Sequence, residues 1–286
     1  MTTTSAPTVS RRYGVLGPLR APRLRWVAVA FLGALVLIAL FATAIAPQSP
    51  DSVSLTGSLA GPSAQHLLGT DGSGRDILSR LIVGSRTSLG GPALVVAFSA
   101  LIGLPLGMLG AYVGGFADGV LARIWDVMLA FPALLLAILL VAVLGLGFWT
   151  AVLAVGLTYA PFVARVVRGM TLGEREKPYI TALRMQGFSL RVVLTRHVLK
   201  NIGSGVTSQL TVLFGYALID LAALSFLGLG VQAPTPDWGS MLADAQSNLL
   251  ISANPVIWPS IAIVVTVLAV NIVGEGISDR ATGARL

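Results

Sequence analysis

Runs of apolar residues long enough to cross a bilayer recur six times along the chain, at about 26–46, 90–113, 121–144, 148–167, 205–229 and 255–273. Inside hydrocarbon every backbone N–H and C=O must find a partner within the protein. Runs of this length and spacing therefore predict an all-α integral membrane protein with six transmembrane helices. The composition agrees. With 55% hydrophobic and only 11% charged residues, and a mean hydropathy of +0.85, the chain is not a soluble globular domain, in which about a quarter of residues are charged.

The charges that exist are unevenly placed. Residues 165–201, between the fourth and fifth apolar runs, hold Arg165, Arg168, Arg175, Lys177, Arg184, Arg191, Arg196 and Lys200, eight of the 19 basic residues, opposed only by Glu174 and Glu176. Five more arginines lie in residues 1–25, which read as a cytoplasmic tail. Because Lys and Arg resist translocation, both termini and this loop are expected on the cytoplasmic side. That orientation puts 16 basic residues inside and three, Arg75, Arg80 and Arg86, outside. The net charge of +7 thus follows from topology, and nucleic-acid binding is not expected. Ser10-Arg11-Arg12 is similar to a twin-arginine export signal. The following apolar run of about 21 residues is longer than a signal h-region, so an uncleaved first helix is expected over 26–46.

Several chemistries are excluded outright. There is no cysteine, and His66 and His197 are the only histidines. Neither lysine, Lys177 or Lys200, is followed by Ser or Thr, so the chain has no phosphate-binding G-x-x-x-x-G-K-[ST] loop. If ATP is used, another chain hydrolyses it. No internal inverted repeat of the kind common in secondary transporters is visible. A self-sufficient secondary transporter is the less favoured alternative.

Between the first and second spans, residues 47–88 leave the membrane. Ile77, Leu78, Leu81 and Ile82 recur at helical spacing there, which predicts an amphipathic helix lying at the outer interface. Asp71 and Asp76 read as a turn and a helix cap. In the second span Gly103, Gly107, Gly110 and Gly114 form overlapping G-x-x-x-G spacings that permit close helix approach. Phe131-Pro132 kinks or divides the third span. Asp220 is the one acid deep in a span. Burying a charge there costs about 2.5–3.5 kcal/mol on insertion scales, so it should face protein or water. Either it lines a pore or meets a second membrane subunit, or it is paired structurally, with Asn271 of the sixth span as the candidate partner. Tyr112, Trp125, Trp149 and Trp238 are expected at the membrane interfaces as anchors.

Within the basic loop, 179–186 and 189–199 read as two short helices broken at Gly187-Phe188. Ile180, Leu183 and Phe188 supply one apolar face, and Val192, Val193 and His197 another. Such helices suit a groove on a soluble partner or a bed of anionic headgroups, and spacing does not choose between them. The loop resembles the E-A-A-x-x-x-G coupling loop of ABC importer permeases, with Ala182 on the first alanine and Gly187 on the glycine. Thr181 stands where that pattern has Glu, and Lys200 where it has Pro. LLGTDGSGRDILSRLIVGSRTSL, DVMLAFPALLLAI, ALSFLGLGVQAPTPDWGSML and NIVGEGISD together resemble, in matching order, the C-type permease subunit of dipeptide, oligopeptide and nickel importers.

The resemblance implies a type I ABC importer permease in the bacterial cytoplasmic (inner) membrane, not itself an enzyme. Its core would span 89–280, including a coupling loop at 168–204, with a short tail at 281–286. It implies as partners a homologous B-type permease, two ABC ATPase subunits and an extracytoplasmic substrate-binding protein. ATP and Mg would be bound by the ATPases, with no cofactor in this chain. Thr181, Ala182, Leu183, Arg184, Gly187, Phe188, Arg191 and His197 are the implied ATPase-coupling residues. Peptides are the favoured cargo, with nickel or another small solute as alternatives.

Overall fold

The computed structural model describes residues 22–281. The termini at 1–21 and 282–286, with most of the expected N-terminal tail and all but the first residue of the expected C-terminal tail, lie outside the described residues. Helices α1 (Pro22–Leu40), α2 (Ile77–Val113), α3 (Gly115–Leu129), α4 (Ala133–Leu144) and α5 (Phe148–Arg175) are followed by α6 (Pro178–Met185), α7 (Leu190–Phe226), α8 (Trp238–Gln246) and α9 (Asn254–Ala281). Among the described residues there are no strands, only an isolated bridge between Thr70 and Asp76. Helices α1, α2, α5, α7 and α9 are each long and apolar enough to span a membrane, and α3 with α4 passes the same test only as a pair bent by 90°, which is a sixth, broken span or a re-entrant loop. The bend falls at Phe131-Pro132, where the proline holds extended backbone and cannot continue the helix.

The centre of the bundle is the pairing of α2 with α5, and glycine makes it possible. A Cβ at Gly107 would lie 2.5 Å from the carbonyl oxygen of Ala164, and one at Gly103 2.9 Å from that of Ala160. The Ser99 hydroxyl donates across the same seam to the Gly156 carbonyl at 2.8 Å. The two backbones are therefore in direct contact, as the G-x-x-x-G spacing requires. Helix α7 packs against both, α9 against α7, and α1 against α9 and α2.

Three expectations change. The separate interfacial helix within 47–88 is instead the first turns of α2, which runs 37 residues without a break. Asp76 caps it, accepting from the Ser79 N–H at 2.8 Å, and nothing between Ile77 and Leu89 interrupts helical bonding. The charges of this segment turn into the protein rather than toward headgroups: Arg80 is only 2% exposed, near Asp71 and Asp244. Likewise the second short helix of the basic loop is the start of α7, through a π-helical stretch at Val193–Val198. Lys200, unlike a proline, keeps its N–H and lets the helix continue. The loop proper therefore shortens to 176–189. Trp238 is buried, its indole N–H donating to the Leu81 carbonyl at 3.0 Å, and it is no interfacial anchor.

At the end of the bundle opposite the basic loop, α8 is riveted to α2. Asp237 caps α8 and accepts from the Ser88 hydroxyl at 2.7 Å, and Arg75 joins Asp71 and Asp244 at 2.7 and 2.8 Å. Gly107→Ala should force the α2–α5 backbones apart, at a cost of about 1–3 kcal/mol typical of overpacking. A lower apparent melting temperature in detergent is the expected outcome, with no change for Gly169→Ala, whose added Cβ meets nothing within 4 Å.

Candidate functional site

Helix α6 is a short rod across the basic end of the bundle. Pro178 sits in its first turn, where a missing N–H costs nothing. Gly187 ends it at φ +79°, with the Phe188 N–H bonded to the Leu183 carbonyl at 3.2 Å and the Gly187 N–H to that of Arg184 at 3.0 Å. This is a Schellman cap, and its left-handed residue is why a glycine stands there. One side of α6 is inward: Ile180 is buried and Leu183 partly so, packed with Val167, Val193, Val198 and Ile202. The other side is open. Thr181, Ala182, Gly187 and Arg191 are exposed, with Met185 84% and Phe188 45% exposed. Phe188 meets the partly buried His197 edge-on, ring centroids 6.3 Å apart.

The buried carboxylate of Glu174, at the end of α5, fastens this rod. It accepts from Lys177 Nζ at 2.6 Å, Tyr179 Oη at 2.5 Å and Asn201 Nδ2 at 2.9 Å. Asn201 belongs to α7, so one side chain joins α5, α6 and α7. Burial, with the Glu174 carboxylate beside it, pushes the Tyr179 phenol up to about 12, so it remains a donor at neutral pH. Helix α2 is tied in from the other side. Arg184 donates to Tyr112 Oη at 2.8 Å with its guanidinium carbon 4.3 Å from the ring centroid, and Arg175 donates to the Ala111 carbonyl at 2.9 Å. Asp118 of α3 and Arg168 of α5 form a bidentate pair at 2.7 and 2.6 Å.

The eight loop residues singled out from sequence thus fall into two groups. Thr181, Ala182, Gly187, Phe188 and Arg191 lie on the open surface, whereas Leu183, Arg184 and His197 make contacts within the chain. Sequence reasoning missed Glu174, Tyr179, Asn201 and Tyr112. The visible signal was Glu174 itself, one of two acids among eight bases. Asp220 and Asn271 are remote from this site. Asp220 lies on α7, 21 residues beyond Leu199, or roughly 30 Å along the helix. Its bonded partner is Tyr159 of α5, whose hydroxyl donates to Asp220 Oδ2 at 2.7 Å, and not Asn271. Asn271 instead lies beside Gly215, more than a turn away along α7, and cannot serve as that partner.

Removing the Glu174 carboxylate takes the acceptor from the partly buried Tyr179 hydroxyl and from Lys177, and leaves Asn201 only its bond to Tyr179, a loss of about 1–3 kcal/mol concentrated on α6. Glu174→Ala should therefore speed tryptic cleavage after Arg184 several-fold in the detergent-purified protein while its melting temperature changes little.

Comparison with known proteins places this architecture. Residues 103–281 match the family of binding-protein-dependent transport system inner membrane components. The dipeptide transport system permease protein DppC of Alkalihalophilus pseudofirmus is 37% identical over 261 residues, covering 91% of this chain and 86% of that protein. The glutathione transport system permease protein GsiD of Pectobacterium atrosepticum is 43% identical over 77% of this chain and 73% of its own length. GsiD of Escherichia coli O157:H7 is 41% identical over 91% and 86%. In fold, the chain is similar to the MetNI methionine ABC transporter in an inward-facing conformation, with a TM-score of 0.60 at 18% identity over 72% of this chain and 97% of the chain compared. The chain belongs to the binding-protein-dependent transport system inner membrane component family: it is a permease subunit of an ABC importer.

Proposed function

We propose that this chain forms half of the translocation pore of an importer for di- and oligopeptides, and that α6 is the helix through which a separate ATPase drives it. The observation that carries the reading is the two-sided character of α6. Ile180 and Tyr179 hold it to α5 and α7 and Arg184 holds it to α2, while Thr181, Ala182 and Met185, with Phe188 just beyond its end, stand uncovered. A helix that met only lipid headgroups would gain nothing from such fixation. A lever that must pass a push to the spans needs it.

The basic end faces the cytoplasm in this reading, where the ATPase is. The opposite end, with α8 and the ion-paired loop before α2, meets the substrate-binding protein. A homologous second permease completes the pore, and two ATPase subunits complete the complex. Peptide cargo is supported by the relatives, which are dipeptide and glutathione permeases at 37–43% identity over most of the chain. Glutathione is itself a tripeptide, so both relatives fall in one substrate class. Thr181 and Arg184 give this α6 its own contact chemistry, since a hydroxyl replaces a carboxylate at one position and the guanidinium at the other is held by Tyr112.

Ala182→Arg tests the docking role, because Ala182 is exposed in mid-helix and a longer side chain there leaves the inner contacts alone. With the neighbouring subunits co-expressed, the ATPase should be lost from the purified complex while the second permease is retained. Undiminished ATPase recovery with the variant would show that this surface is not the docking face.

A further inference from the structure

The Tyr159–Asp220 pair has a property that simple structural pairing does not explain. Asp220 is only partly buried, and Tyr159 satisfies Oδ2 alone; among the described residues no bond reaches Oδ1. The pair lies within the span, six residues before the end of α7 at Phe226, or about 9 Å from the end that faces away from the basic loop. A carboxylate at that depth does not face lipid. Its open side must look onto water in a pathway or onto another polypeptide. One turn before it on the same helix face, Tyr216 is 56% exposed and carries an uncovered aromatic ring.

A half-satisfied carboxylate beside an exposed tyrosine is a setting for an organic cation. The carboxylate oxygen accepts from an ammonium group, and the ring face attracts the same charge. Every unmodified peptide carries such a group at its N-terminus. We propose that Asp220, positioned by the Tyr159 hydroxyl and flanked by Tyr216, is a transient subsite for the N-terminal ammonium of the peptide in the outer half of the pathway. This rests on the peptide-importer reading. The site is built to be weak. Tyr159 already occupies one oxygen and neutralises part of the carboxylate's demand, so a passing ammonium gains one strong hydrogen bond and can leave. A positively charged side chain of the second permease is the competing occupant. The uncovered ring of Tyr216, one turn away, favours an ammonium that both groups can hold at once.

The test uses the complete importer in proteoliposomes with saturating, loaded binding protein. Maximal uptake of a dipeptide is compared with that of its N-acetylated form, for wild type, Asp220→Asn and Asp220→Glu. The binding protein is common to all, so its own selectivity cancels when the preference for the free amine is compared between permeases. Asp220→Asn should lower that preference about tenfold, the effect of one lost charge-assisted hydrogen bond, and Asp220→Glu should restore most of it. An unchanged preference, even with both rates reduced, would assign Asp220 a structural role and overturn the proposal. Loss of the second permease from the Asp220→Asn complex would overturn it in favour of an interface contact. Wild type taking up neither peptide would sink the peptide reading, and this one with it.

Discussion

Everything in this permease hangs on two helix backbones in contact. Lipid chains are as apolar as leucine, so burying leucines between helices gains little in a membrane, and association depends on close packing and on the few hydrogen bonds it allows. Gly103 and Gly107 of α2 meet the Ala160 and Ala164 carbonyls of α5 at distances no side chain tolerates, and Ser99 bonds to the Gly156 carbonyl along the same seam. Both helices are longer than the hydrocarbon is thick, at 37 and 28 residues, so their ends project on each side. The rigidity gained in the middle is thereby carried to both surfaces.

The charged residues then follow a consistent logic. At the basic end the projecting ends of α2 and α5 are joined by the Arg175–Ala111 bond, and Tyr112, Arg168 and Glu174 there fix α6, α3 and α7. At the other end Asp76, Ser88 and Arg80 of α2 fix the preceding loop and α8. Ionic and hydrogen-bonded contacts are concentrated beyond the hydrocarbon, where desolvation is cheaper. Asp220 is the exception, and that is what makes it informative. A carboxylate persists within a span only where something other than stability requires it.

Much of this was readable before any coordinates. Span positions follow from length and hydropathy, the α2–α5 seam from glycine spacing, the broken third span from Phe131-Pro132, and the end of α6 from Gly187. The wrong side-chain partners share one cause, which is that a sequence does not record how a helix is rotated about its axis. Asp220 points to Tyr159 on α5 rather than to Asn271 on α9 for that reason, and Arg184 finds Tyr112 across 72 residues of chain. The missed start of α2 is of another kind. The stretch from Ile77 looks amphipathic because Arg80 and then Arg86 punctuate it, yet both arginines are bound by the protein, Arg80 near carboxylates and Arg86 by the carbonyls of Ala39 and Leu40 at the end of α1. Charge in a helical pattern marks a solvated face only when no partner is folded over it.

The departures of the loop from the common coupling pattern have a physical reading in this geometry. Where the pattern has a proline, Lys200 leaves α7 uninterrupted from Leu190 onward. A π-helical stretch at Val193–Val198 takes up the mismatch between the direction of the loop and that of the span. Helix α6 is therefore joined to α7 in two ways, through the covalent Gly187–Leu190 turn and through the Asn201–Tyr179 bond at 2.8 Å. With a proline at 200 the first would include a break, and the second would carry more of the load. In this chain α7 is a continuous helix there, and the buried carboxylate of Glu174 ties it, α6 and α5 together.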